Sequence, residues 1–189
     1  MKKIVIIPAY NEISNIRTTV QDILDHAPGF DYVIINDCSQ NGTMRFCTEQ
    51  GMNIINLPVN LGIGGAVQTG YLYAWRNGYD VAVQFDGDGQ HDASYLGEMA
   101  DFLQAQQADM VIGSRYIKKE GFQSSGIRQF GIRYFSALIK LLTGKRVTDP
   151  TSGMRMVNRD VMKIYSEDYP VDYPEPESVV TILRMGKKV

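Results

Sequence analysis

"VAVQFDGDGQHD", Val81 to Asp92, joins a run with the apolar character of a buried strand to seven residues that include three aspartates. The same succession of apolar run and polar end recurs along the chain. "KIVII" (3 to 7) leads into "PAYNE" (8 to 12), "YVIIN" (32 to 36) into "NDCSQNGT" (36 to 43), and "NIINL" (53 to 57) into "NLGIGG" (60 to 65). "DMVIG" (109 to 113) makes a fifth run. The intervening segments 14 to 27, 42 to 50, 64 to 78 and 92 to 106 place apolar residues three and four apart, the helical period. Ser14 and Asp92 are expected as N-caps, and Gly29, Gly51 and Gly78 as helix stops. Strands that read apolar throughout and alternate with helices predict an α/β fold whose central sheet is mostly parallel and covered on both faces. In such sheets ligands bind beyond the carboxyl ends of the strands, so the four polar ends converge on one crevice.

The bulk numbers fit one soluble globular domain: 189 residues, 44% hydrophobic and 21% charged. A net charge of −2 gives no reason to expect nucleic-acid binding. Cys38 and Cys47 with two histidines make neither a disulfide framework nor a zinc set, which points to reduced thiols and a cytoplasmic protein. The apolar start, Ile4 to Ile7, is too short for a signal peptide. No run approaches the roughly 18 apolar residues of a spanning helix. From Gly121 the alternation gives way to loops at 121 to 126 and 148 to 153 around a helix at 127 to 143. Residues 1 to 113 therefore read as a nucleotide-binding core, and 114 to 189 as a substrate-facing extension of the same domain.

Three chemistries compete for "DGDGQH". A calcium loop needs glycine at its sixth position and glutamate at its twelfth, where this chain has His91 and Gly97, so that reading fails on spacing. A divalent cation shared with a phosphate needs only one or two carboxylates, which Asp86 and Asp88 supply, while Gly87 and Gly89 let a diphosphate approach. A solvated turn is the third reading. "NLGIGGAVQTG" is either an anion site at a helix start or a close helix-to-strand contact; it lacks a Walker lysine and the third glycine of a dinucleotide fingerprint. "NDCSQNGT" alone reads as an Asx-type turn capping a helix.

In order, "PAYNE", "NDCSQNGT", "NLGIGGA", "DGDGQH", "GSRY" and "DPTSGMR" resemble the motifs of the family 2 glycosyltransferases. The nearest branch is similar to the polyprenyl-phosphate sugar transferases of the dolichol-phosphate mannose synthase type. The resemblance implies the nucleotide-diphospho-sugar transferase (GT-A) fold. It also implies inverting transfer from a UDP- or GDP-sugar to a polyprenyl phosphate or glycan acceptor, with Mg²⁺ or Mn²⁺.

By that resemblance Pro8, Tyr10 and Glu12 line the nucleotide pocket and Asp37 meets the base. Where the family shows two acidic residues this chain has Asn36 and Asp37, and the usual D-G-T is Asn41, Gly42, Thr43. Asn60, Gly62 and Gly64 match the motif packed on the nucleoside. Asp86 and Asp88 match the D-x-D for ribose, metal and diphosphate, with Gln90 a further metal ligand. Arg115 and Arg128 resemble residues that hold the diphosphate or the acceptor phosphate, and Thr151 and Ser152 belong to the acceptor loop. Asp149 is either the general base for a hydroxyl acceptor or a residue that orders this loop; an acceptor phosphate, already anionic, needs little deprotonation. Glu175 and Glu177 resemble an acidic motif near the donor sugar, or complement a helix dipole. His91 reads as a loop-ordering residue or as an acid/base.

The helix of 126 to 146 mixes apolar residues with Arg128, Arg133, Lys140, Lys145 and Arg146. Both a core helix with a basic rim and an interfacial helix on anionic lipid fit, the latter placing the protein at the inner face of the membrane. Relatives often continue into membrane helices, so the resemblance implies either a natural chain that runs past Val189 or a minimal version of the family. Two other functions remain open: a nucleotidyltransferase, although "PAYNE" lacks the glycine- and basic-rich loop of that class, and a non-catalytic nucleotide-sugar-binding domain.

Overall fold

The computed structural model describes residues 1 to 87, 89, 91 to 114 and 126 to 189, with the backbone alone for 126 to 130 and 133. Asp88, Gln90 and Arg115 lie outside the described residues, as does the side chain of Arg128.

Each apolar run becomes a strand: β1 (Lys3–Ala9), β2 (Phe30–Asn36), β3 (Ile54–Asn56), β4 (Val81–Gln84) and β5 (Met110–Ile112). The helical segments become α1 (Ile16–His26), α2 (Thr43–Glu49), α3 (Gly62–Arg76), α4 (Tyr95–Ala105) and α5 (Gly126–Thr143). Three further elements follow: β6 (Arg155–Asn158), α6 (Arg159–Glu167) and α7 (Pro174–Arg184). The sheet order is β3-β2-β1-β4-β6-β5. β1 to β4 are parallel, and β6 runs antiparallel between β4 and β5.

Five buried strands were expected, and the sixth is a correction. "RMVN" is four residues long and begins with arginine, so no local period marks it; its place comes from pairing with Val81–Gln84 on one side and Met110–Ile112 on the other. The edge strands β3 and β5 are only partly buried.

Residue alternation on the parallel strands builds two cores. Ile4 and Ile6 of β1 face one way with Val33, Ile35 and Ala82, and pack on α3, α6 and α7. Val5 and Ile7 face the other way with Ile34, Val81 and Val83, against α1, α2 and α4. Helices therefore cover both faces, as the runs without polar interruption require.

Two of the expected helix starts shift. α1 begins after Asn15, and the Glu12 carbonyl accepts from the Asn15 and Ile16 N–H groups. α4 begins after Ser94, while the Asp92 carboxylate accepts from the Ser94 N–H in the preceding turn. Gly51 and Gly78 follow the ends of α2 and α3 with φ of +67° and +74°, a conformation that costs glycine little.

Candidate functional site

The order of strands reverses between β1 and β4: β2 and β3 lie to one side of β1, and β4 to the other. At the carboxyl ends of such neighbours a crevice opens. A cavity of about 450 Å³ lies there, lined by Pro8, Tyr10, Glu12, Asp37, Asn60, Gly62 and Asp86, with Ala9, Ile63, Ala66 and Gly87 completing the wall. Seven residues singled out in the sequence thus come from four separate loops to one place.

Hydrogen bonds hold these loops to each other. Asn11, at φ +60°, donates its N–H to Ser39 Oγ (2.8 Å) and accepts the Gln40 N–H on its Oδ1 (2.9 Å), tying "PAYNE" to "NDCSQNGT". Asp37 is buried; its Oδ1 accepts the Leu61 N–H at 2.7 Å, and its carbonyl accepts from Asn60 Nδ2 at 3.2 Å. The start of α3 is thereby fixed to the end of β2. Asn36, standing where the family has an acidic residue, is buried and donates to Asn56 Oδ1 of β3 (2.9 Å) rather than lining the cavity. Asn41 accepts from both the N–H and the hydroxyl of Thr43, the Asx-type turn expected before α2. Gly64 sits elsewhere: a Cβ there would meet the Pro170 carbonyl at 2.2 Å, so this glycine lets α3 touch the segment before α7.

Asp86 occupies the cavity floor with 34% of its side chain exposed. Oδ1 accepts from Gln84 Nε2 (3.2 Å) and Oδ2 from His91 Nε2 (3.2 Å). Burial pushes the carboxyl up, but the hydrogen bond and charge of His91, the Gln84 hydrogen bond and the Arg155 charge together outweigh it and hold the group below its ordinary value. Asp86 is an anion at neutral pH, so His91 Nε2 is a donor. The His91 ring packs against Phe85 at 5.3 Å, which gives it the loop-ordering geometry. Gln84 is fully buried, and its Oε1 accepts from the hydroxyl of buried Tyr169 at 3.4 Å. Burial pushes that phenol up to about 12, leaving it protonated.

The "DPTSGMR" segment passes over Asp86. Asp149 is buried and its Oδ1 accepts the Thr151 hydroxyl at 3.1 Å; Ser152 is buried and donates to the Gly113 carbonyl at 2.7 Å. Thr151 is partly exposed. A Cβ on Gly153 would lie 2.0 Å from Asp86 Oδ2. Arg155 is fully buried and bonded to Ser152, Pro150, Glu175 and Ser178. Glu175 and Glu177 stand in the first turn of α7. The sequence reading passed over Gln84, Gly153 and Arg155. A glutamine inside an otherwise apolar strand, two residues before the aspartate, and the place of Gly153 and Arg155 within "DPTSGMR" were the visible signals.

The residues on the floor fit a hard divalent cation. Asp86 is ionised, and each of its oxygens accepts one hydrogen bond, which leaves a second lone pair on each for a ligand. A magnesium- or manganese-type site takes one or two carboxylates and draws its other ligands from substrate phosphates and water.

A family model described as "Glycosyl transferase family 2" matches residues 4–165. The chain belongs to glycosyl transferase family 2. Among its relatives in this family, an undecaprenyl-phosphate mannosyltransferase of Micrococcus luteus is 28% identical over 174 residues, covering 89% of this chain and 71% of the relative. A UDP-N-acetylglucosamine--dolichyl-phosphate N-acetylglucosaminyltransferase of Methanococcus voltae is 31% identical over 181 residues, covering 86% and 71%. Glucosyl-3-phosphoglycerate synthase of Mycobacterium tuberculosis, solved with Mn²⁺, UDP and glucosyl-3-phosphoglycerate, superposes with a TM-score of 0.74 at 18% identity over 97% of this chain and 66% of that one. A mannosyltransferase of Pyrobaculum calidifontis in complex with GDP-Man and Mn²⁺ gives 0.67 at 16% identity, over 99% and 53%. The fold of this family 2 domain is GT-A, as expected from the ordered motifs.

Proposed function

We propose that this domain is an inverting, metal-dependent glycosyltransferase that takes a UDP- or GDP-sugar as donor and a polyprenyl phosphate as acceptor. The observation that carries the reading is Asp86 on the floor of a single cleft whose walls come from the ends of β1, β2 and β4 and the start of α3. Asp37 lines the cleft with Oδ1 taken by the Leu61 N–H, and its remaining acceptor capacity suits an N–H of the base. Tyr10 and Ile63, exposed at the rim, give the base and ribose apolar surface.

Asp86, with Asp88 and Gln90, would hold Mg²⁺ or Mn²⁺. When bound, the cation supplies Lewis-acid stabilisation of the charge that develops on the departing nucleoside diphosphate. Arg115 and Arg128 are proposed for the diphosphate and the acceptor phosphate, a task suited to the guanidinium fork. Thr151 borders the acceptor side. An acceptor phosphate attacks as an anion, so Asp149, buried and bonded to Thr151, orders the loop in this reading rather than removing a proton. The acceptor class also accounts for α5: Ile132 and Ile139 anchor it to the domain, while Tyr134, Leu141 and Leu142 are exposed at 57%, 82% and 54% beside exposed Lys140, Lys145 and Arg146. This face suits an anionic lipid surface. No helix among the described residues is long and apolar enough to cross a membrane.

Calorimetric titration with UDP, GDP and dTDP, each with and without Mn²⁺, tests the reading. One of the first two binds, binding tightens with Mn²⁺, and Asp86→Asn abolishes the tightening. Absence of nucleotide binding, or a Mn²⁺ effect indifferent to Asp86→Asn, would refute it.

A further inference from the structure

Arg155 opens β6 with a side chain that is 0% exposed, yet it forms no ion pair within the described residues. Its donors go to main chain and to one hydroxyl. Nε bonds the Ser152 carbonyl (2.7 Å), Nη2 the Pro150 carbonyl (2.6 Å), and Nη1 the Ser178 Oγ (2.8 Å) and the Glu175 carbonyl. A guanidinium without a carboxylate is a costly thing to bury, and an apolar residue of similar volume often serves a core as well or better. What the arginine provides is a planar set of donors that fixes the acceptor loop on both sides of Thr151 and fastens it to the first turn of α7.

Gly153 lies between those anchored carbonyls and the cavity floor. Its Cα sits so close to Asp86 that an added Cβ would be 2.0 Å from Oδ2, 2.7 Å from Cγ and 2.9 Å from Oδ1. Gly153 is not among the residues with positive φ, so its backbone admits alanine, and the three atoms nearest an added Cβ all belong to the carboxylate. Gln84 bonds Oδ1, and His91 bonds Oδ2. The carboxylate is thus held between a strand residue, a loop imidazole and the bare backbone of the acceptor loop.

We infer that Gly153 and Arg155 are positioning residues for Asp86: Gly153 leaves the space in which the carboxylate takes its orientation, and Arg155 holds Gly153 in place by stapling the 150–153 segment to α7. The acceptor loop and the donor-side carboxylate are therefore one mechanical unit. The inference rests on the reading of Asp86 as the group that meets the donor's diphosphate and its cation.

The test measures UDP and GDP affinity by calorimetry in Mn²⁺ and in EDTA for wild type, Gly153→Ala, Arg155→Met, Arg155→Lys and Asp86→Asn, with a thermal melt of each. Outer-shell partners of metal ligands change metal affinity by roughly 10–100-fold. Gly153→Ala and Arg155→Met are expected to lose about that much of the Mn²⁺-dependent gain while their affinity in EDTA stays within about two-fold of wild type; Arg155→Lys, with the charge but not the fork, falls between. A merely structural arginine would lower both affinities together or neither. Retention of the full Mn²⁺ gain in folded Gly153→Ala, alongside its loss in Asp86→Asn, overturns this inference and leaves the function standing. A Mn²⁺ gain that survives Asp86→Asn overturns both. Gly153→Ala decides the matter even if Arg155→Met does not fold, because its backbone accepts the change.

Discussion

Tyr71 and Tyr165 pack ring to ring in one core, and their hydroxyls should respond oppositely to deletion. Tyr71, on α3, is 0% exposed; its ring lies 5.3 Å from that of Tyr165 and 5.7 Å from that of Tyr169, and its hydroxyl has no partner among the described residues. Tyr165, on α6, is equally buried and donates to the Ser178 carbonyl at 2.9 Å. Phenylalanine keeps both ring contacts, so each substitution reports a hydroxyl alone. A desolvated, unpaired hydroxyl costs about 1–3 kcal/mol, most of which Tyr71→Phe recovers; a net gain of about 1–2 kcal/mol is expected. For a chain of this size about 2–4 °C accompanies each kcal/mol, so the melting temperature rises by about 2–8 °C. Tyr165→Phe gives up a satisfied hydrogen bond worth about 0.5–1.5 kcal/mol and lowers it. Burial, with smaller contributions from Tyr169 and Tyr165, pushes the Tyr71 phenol far above its usual range, so ionisation does not enter at assay pH. Scanning calorimetry and urea denaturation of the two variants beside wild type read the signs directly. A loss of about 1 kcal/mol or more in Tyr71→Phe would refute the argument, since it would mean that the hydroxyl is bonded.

Asp109 predicts an acid limb of stability. Its carboxylate accepts from the Lys188 N–H (2.8 Å) and Asn158 Nδ2 (2.8 Å) with Lys187 Nζ at 3.5 Å, and although burial raises it, these partners hold it below the usual value. A depressed carboxyl contributes stability above its unfolded value near 3.9 and loses it as pH falls through the folded value. Asp109→Asn should therefore be less stable than wild type by about 1 kcal/mol at pH 7, with the gap closing below about pH 4 in urea titrations across pH; a gap that widens in acid contradicts this. On α5, wild type should co-sediment with phosphatidylglycerol vesicles and not with phosphatidylcholine ones. Leu141→Ser combined with Leu142→Ser should weaken that binding by about ten-fold or more, from the loss of two apolar side chains at the interface; unchanged sedimentation would remove the lipid-facing role of the helix.

The elements of 1 to 113 were legible because their signals are local. "KIVII" and "VAVQF" are apolar but for Lys3 and Gln84, the helices carry the 3.6-residue period, and each polar cluster follows its strand. That grammar gave the parallel sheet, its covering helices and the place of the crevice, and the order of the motifs pointed to the family. Helix starts moved by a few residues at Ser14 and Asp92, where several capping residues stand side by side and the backbone chooses among them.

What only the tertiary structure decided depends on residues far apart in the chain. β6 has no local signature and exists through its pairing with strands about forty and seventy residues earlier. Arg155 reads in sequence as one more basic residue, yet its partners at Pro150, Glu175 and Ser178 make it the buried tie between the acceptor loop and α7. Gly153 reads as a turn glycine, and Gln84 as a lapse in an apolar strand. Their meaning lies in the Asp86 carboxylate between them, a contact set by sheet order and not by spacing. The sequence by itself marked Asp86 and Asp88 together at the end of β4; the packing of the β6 entry loop on that end decided what stands against Asp86, because close approach in space is written nowhere in a local period.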